Sequence, residues 1–143
     1  MQIKAVNAVP SYRITHNIVS NLDTHKEWIN QSFAPHKRKA LLVGAGYSAK
    51  KHIGKIRQYQ KDGYDVYAIK HALPILREGG VVPKGMITLD PRPAQGVSTH
   101  GVKRADLFDA LPKETIVFHA SMTHPSVFEY IKAKGHKVIG FHA

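Results

Sequence analysis

Five short apolar runs, each closed by glycine, proline or a charged residue and separated by segments of helical spacing, constrain this chain more than any other feature. They lie at 40–43, 66–69, 85–89, 115–118 and 137–141, four or five residues apiece. That is the length of a strand, not of a helix. Near-continuous apolar character, without polar alternation, is what strands of a parallel sheet show. Between the runs, 49–60 places Ala49, Ile53 and Ile56 on one helical face and Lys51 and Lys55 elsewhere. Shorter helices are expected at 72–78, stopped by Gly79 and Gly80, and at 105–111, stopped by Pro112. A further helix at 125–134 carries Pro125 in its first turn, where a missing N–H costs nothing. Strict alternation of strand and helix gives an α/β domain. The expected class is a Rossmann-like, doubly wound, mostly parallel five-stranded sheet with an N-terminal helical extension. Right-handed crossovers make 3-2-1-4-5 the simplest strand order.

The boundary is expected near residue 36, with a helical extension at 1–36 and the Rossmann-like nucleotide-binding domain at 37–143. Residues 1–10 carry no periodic pattern and are expected to be a loose end. Ile14, Ile18, Leu22, Ile29 and Phe33 then recur at helical spacing. Thr24 and Glu27 have the spacing of a capping box, which predicts a second helix from about Asp23. Pro35 and the basic run at 36–39 punctuate the chain before the first strand.

A length of 143 residues suits one domain, and 43% apolar with 22% charged residues argues against disorder. No run of eighteen apolar residues is present, and the first twenty residues lack the apolar core of a secretory leader. Cysteine is absent, which excludes disulfides, thiolate metal sites and a cysteine nucleophile. These features predict a cytoplasmic protein with no membrane partner. Lys and Arg number 21 against 10 Asp and Glu, a formal charge of +11. Such a field draws anions: a nucleotide, a phosphorylated metabolite or nucleic acid. The basic residues Lys37, Arg38, Lys39, Lys50, Lys51, Lys55 and Arg57 are the best argument for nucleic acid. They lack a helix-turn-helix or a stacking platform, so a solvated charged face explains them better.

In open α/β sheets ligands bind beyond the carboxyl ends of the strands. That rule selects the turn at 44–48, Lys70 and His71, Asp90 and Arg92, and the stretch at 119–124, all expected to share one crevice. Gly44, Gly46 and Ala49 fit the G-x-G-x-x-G/A spacing between a strand and a helix. Glycines there let backbone approach a phosphate, and Ser48 could cap the helix or bond the phosphate. NAD is disfavoured because Lys70 and His71 stand where a ribose-binding acid is wanted, whereas a basic group could meet the extra phosphate of NADP. Asp90 could bind a ligand hydroxyl, hold magnesium or act as a base, and Arg92 between two prolines could fork onto a phosphate. His119, Ser121, Thr123 and His124 suit phosphate or sugar recognition, His119 and His124 also acid–base work; Thr123 could instead cap the next helix. No zinc, Walker-type or nucleophile-elbow spacing occurs.

The strand and turn Ala40-Leu41-Leu42-Val43-Gly44-Ala45-Gly46-Tyr47-Ser48 resembles the glycine-rich motif of the MptE-like Rossmann domain family. The stretch at 66–93 is similar too, with Ala72-Leu73-Pro74 leading a helix, Gly80 and Pro83 closing it, and Leu89-Asp90-Pro91 after the third strand. So is the preceding segment His16-Asn17-Ile18-Val19-Ser20-Asn21-Leu22. The likeness covers about residues 12–143 and implies a nucleotide-handling transferase. Its best-defined type is an archaeal 6-hydroxymethyl-7,8-dihydropterin diphosphokinase, which uses Mg2+ with ATP; related domains occur in flagellin-modifying motility accessory factors and share a fold with some sialyltransferases. By this resemblance Gly44, Gly46 and Ser48 approach phosphates and Asp90 is the third-strand acid, holding magnesium or orienting the acceptor hydroxyl. Lys70, His71, Arg92 and Ser121 would complete the nucleotide contacts. A nucleotide-sugar glycosyltransferase, with His119 or His124 as acid or base, and a non-catalytic basic module are the alternatives. The sequence departs from the motif at Tyr47, where the family has proline, and at Lys70-His71, where an acidic or small polar residue is expected; it also ends earlier than longer relatives. The edge of the fifth strand suggests pairing with a second copy.

Overall fold

All five apolar runs are strands of one parallel sheet, and the order in which they lie sets where a ligand can go. A computed structural model describes residues 9–29, 37–97, 101 and 103–143. The strands are β1 (Ala40–Val43), β2 (Asp65–Ile69), β3 (Gly85–Thr88), β4 (Ile116–Ala120) and β5 (Val138–Phe141). The helices are α1 (Ser11–Thr24), α2 (Tyr47–Lys51), α3 (Ile53–Lys61), α4 (Leu73–Glu78), α5 (Arg104–Asp109) and α6 (Pro125–Ala133). A 3-10 turn at Lys70–Ala72 leads from β2 into α4.

The class is Rossmann-like α/β, but the strand order is β1-β2-β3-β4-β5 and not 3-2-1-4-5. After β3 the chain does not return to the far side of β1; it continues into the neighbouring position, so every crossover steps the same way. No reversal of strand order exists, and the crevice such a reversal opens is missing. Right-handed crossovers that all step one way place their helices on one face. The register agrees: Val43, Ala68, Met86, Val117 and Val138 form one row across the sheet. That row packs with Ala49, Ile56, Leu73, Leu76, Phe108, Val127 and Ile131 of α2 to α6 in a single core. A doubly wound sheet would be covered on both faces, but the described residues cover mainly one. On the opposite face Leu42 is 59% and Ile69 38% exposed, and Tyr67, Ile87, Phe118 and Ile139 are half-buried.

The helix expected over 49–60 is two helices, α2 and α3, parted at His52 with φ −106° and ψ 18°. The helix expected from Asp23 does not form. Thr24 Oγ1 bonds back to the Ser20 carbonyl at 2.9 Å instead of capping. The chain then extends, and Trp28 bridges Gly140 in parallel. Gly140 N–H donates to the Glu27 carbonyl, and the Ile29 N–H donates to the Gly140 carbonyl. The β5 edge, expected to be open, is therefore paired at Gly140 by the chain itself. Phe33, Pro35, His36 and nearly all of the expected loose end lie outside the described residues. No helix among the described residues is long and apolar enough to cross a membrane.

Candidate anion-binding site

Thr88 is the last residue of β3, and the turn after it carries the only expected acid. Asp90 is almost enclosed, with 8% of its side chain exposed. Lys70 Nζ donates to Oδ2 at 2.6 Å, Arg92 Nε to Oδ1 at 2.7 Å and Arg92 Nη2 to Oδ2 at 3.1 Å. Arg104 Nε stands 3.8 Å from Oδ2 and has no hydrogen-bond partner of its own. Three cations thus surround one carboxylate. Burial alone would raise the Asp90 pKa, but the bonds from Arg92 and Lys70 and the Lys70 charge hold it at about 2. Burial lowers that of Lys70, partly offset by Asp90, with Arg92 and Arg104 pushing the same way as burial. Lys70, His71, Asp90 and Arg92 line one cavity of about 260 Å3 with Ile69 and Pro91.

The spare Arg104 hydrogens go to carbonyls of Pro93, Gln95 and Val97, which ties the loop after β3 to α5. Sequence reasoning missed this residue because its partners are backbone atoms on a loop without periodicity. Magnesium fits this donor set poorly. Both Asp90 oxygens are occupied by cations, and among the described residues no group of three His, Asp or Glu could hold a metal ion.

The glycine turn lies at the sheet edge, beside β2. Gly44 and Gly46 share a cavity of about 260 Å3 with Ser48 and His52, distinct from that of Asp90. Neither glycine has positive φ. A Cβ at Gly44 would meet nothing within 4 Å, and one at Gly46 only Ser48 Oγ at 3.6 Å. Gly85, in contrast, is wedged between Phe118 and Tyr67, where a Cβ would come within 2.6 Å and 2.8 Å. Neither backbone strain nor packing accounts for the turn glycines; what their small size preserves is open space over the backbone. Ser48 is exposed and forms no cap bond. Tyr47 is 87% exposed.

The stretch after β4 divides. His119 sits on the helix-covered face, in the row Thr88–His119–Gly140, and is fully buried. Its Nδ1 is 3.0 Å from Nε2 of His25, and Phe128 packs against both rings. Burial, then the His25 charge, lowers its pKa to about 3. Enclosed in this way, the ring is not open to the cavities at the strand ends. Ser121 is buried as well, its carbonyl held by Asn21. His124, in contrast, lines a third cavity with Tyr12, Arg13, His16, Asn17, Pro91 and Pro93. The predicted residues therefore occupy three neighbouring cavities and a buried pair, not one crevice.

Helix α1 is built into this edge. Asn17 Nδ2 donates to the carbonyls of Pro91 and Met122, each at 3.0 Å. Asn21 Nδ2 donates to those of Ser121 and Thr123, each at 2.7 Å. Two asparagines four apart on one helical face are the signal that periodicity of apolar residues alone passes over.

The family model described as MptE-like, 6-hydroxymethylpterin diphosphokinase MptE-like, matches residues 12–140. An uncharacterized protein of Treponema pallidum (strain Nichols) is 39% identical over 54 residues, which is 38% of this chain and 25% of that relative. The match thus spans a quarter of the relative's length. No solved structure matches.

Proposed function

Because the chain belongs to the MptE-like family, we propose that it binds a nucleotide or similar phosphorylated ligand along the carboxyl edge of its sheet, for transfer of a phosphoryl-type group. The glycine turn carries this reading: Gly44 and Gly46 are required by neither conformation nor packing, and the space they keep lies over exposed backbone. Glycine at such a place suits close approach of a phosphate. The cavity next along the edge supplies the countercharge. Lys70 and Arg92 line it, and with Arg104 they outnumber the single carboxylate three to one. When phosphates bind, Arg92, the most accessible of the three at 32% side-chain exposure, turns part of its fork from Asp90 to the ligand. Lys70 and Asp90 hold the turn in place. Cations already fixed beside developing negative charge are the kind of group that stabilises a transferring phosphoryl unit. Magnesium, where the reaction uses it, would be held by the ligand's phosphates and water, since both Asp90 oxygens are engaged by Lys70 and Arg92.

The test is thermal shift of the protein against ATP, CMP, a CMP-sugar and NADP, each with and without magnesium. One nucleotide is expected to raise the Tm, and Gly46→Val to abolish the rise. That variant folds on this reading, since valine is compatible with φ −67° and ψ 158°. Stabilisation that persists in Gly46→Val, or that only oligonucleotides produce at low salt, would overturn the proposal.

A further inference from the structure

The third cavity, between the first turns of α1 and the loops after β3 and β4, has a volume of about 420 Å3, enough for a small organophosphate. Arg13 and His16, three apart on α1, face His124 across it. No acid is among the described residues that line it. The His124 ring is oriented from behind: its Nδ1 accepts the Ser126 N–H at 3.2 Å and caps α6. Ser126 Oγ, 3.0 Å from the same nitrogen, in turn accepts the Ala94 N–H. With Nδ1 an acceptor, the ring proton of the neutral form is on Nε2, free for a ligand; a second proton goes on Nδ1, which then gives up the Ser126 N–H and donates to Ser126 Oγ instead. Asn17, buried and bonded to the Pro91 and Met122 carbonyls, fixes the helix that brings Arg13 and His16 to this place.

We propose that Arg13, His16 and His124 form a second anion site, for a phosphate or pyrophosphate group, that fills as His124 takes up a proton. The inference does not rest on the glycine turn or on nucleotide binding. The other charges that reach the His124 ring are few. Burial, then His16 and Arg13, disfavour its cation, and Glu129 alone favours it. A cationic His124 beside Arg13 has no counterion among the described residues that line the cavity, and an anion there removes the repulsion. Binding therefore draws in protons, and affinity rises as pH falls.

The experiment uses inorganic pyrophosphate and the whole chain, followed by the histidine ring signals in NMR and by calorimetry at about pH 6 and about pH 8. The His16 and His124 ring signals are expected to move together on addition of pyrophosphate, with the pKa of His124 raised by the ligand. Affinity is expected to be about tenfold higher at the lower pH. Arg13→Gln with His16→Gln, both exposed positions, should abolish binding here and leave the fold intact. His124→Asn keeps an acceptor for the helix cap and should remove most of the pH dependence. Gly46→Val should bind pyrophosphate here as the parent does, which separates this site from the nucleotide reading. Histidine signals that stay fixed at millimolar pyrophosphate, or equal binding in the double variant, would overturn it.

Discussion

Asp90 shows how one residue can serve structure and ligand together. Its carboxylate lies among Lys70, Arg92 and Arg104, and removing its charge leaves those cations facing each other in a largely buried cluster. Asp90→Asn is therefore expected to destabilise the fold by about 3–5 kcal/mol, read by urea denaturation, because a broken buried pair strands its partner. A loss of activity in that variant alone would say little about chemistry. The turn glycines give the cleaner separation. Gly44→Ala places a methyl in open space with φ outside the left-handed region, so it should leave stability unchanged or raise it by up to about 1 kcal/mol. Nucleotide affinity should fall all the same. A large loss of stability in Gly44→Ala would mean that the glycine is there for the fold.

At the scale of elements, α1 is the part whose role the sequence conceals. Its apolar positions mark a helix, and Val19 and Leu22 of that helix are largely exposed. What docks it is Asn17 and Asn21, whose four bonds go to carbonyls after β3 and β4. Strands, by comparison, are readable as short, nearly continuous apolar runs, although the face bearing Leu42 and Ile69 is left largely open among the described residues. Their order is not, because nothing in a strand says which neighbour it takes. The burial of His119 is hidden for a related reason: it lies at the end of β4 as expected, but side chains alternate along a strand, and its side is the core side. The docking can be watched. Trp28, the single tryptophan, packs on Gly140 and stacks on His142 at 4.6 Å. Asn21→Ala leaves two buried carbonyls unpaired, a cost of about 1–3 kcal/mol. Its Trp28 emission should shift to the red before the sheet unfolds. If emission and far-UV signal change together, α1 and the sheet are one cooperative unit.

For the molecule as a whole, pH acts through histidines held neutral. Burial, with neighbouring charge, lowers the pKa of His25 to about 4 and of His119 to about 3, and it lowers those of His124 and His136 as well. The unfolded chain takes up these protons from about pH 6.5 downward, so it binds more than the folded chain does, and stability must fall with pH in that range. The contribution is complete above about pH 6.5 and is lost toward the folded values of 4 and 3. Asp90 adds a second loss of the same sign, from its ordinary 3.8 down to about 2. A Tm level above neutrality and falling steeply between about pH 6.5 and 4 is expected. A chain of charge +11 would also lose stability on acidification through repulsion among its surface cations. Salt separates the two causes. Repulsion between exposed charges is screened at high ionic strength, whereas the cost of protonating His25 against His119 in the core is hardly changed. The fall should therefore survive in about 1 M salt and become shallower in His25→Gln, which keeps a polar group opposite His119 but takes up no proton. A fall that salt abolishes would assign the effect to the surface charge instead.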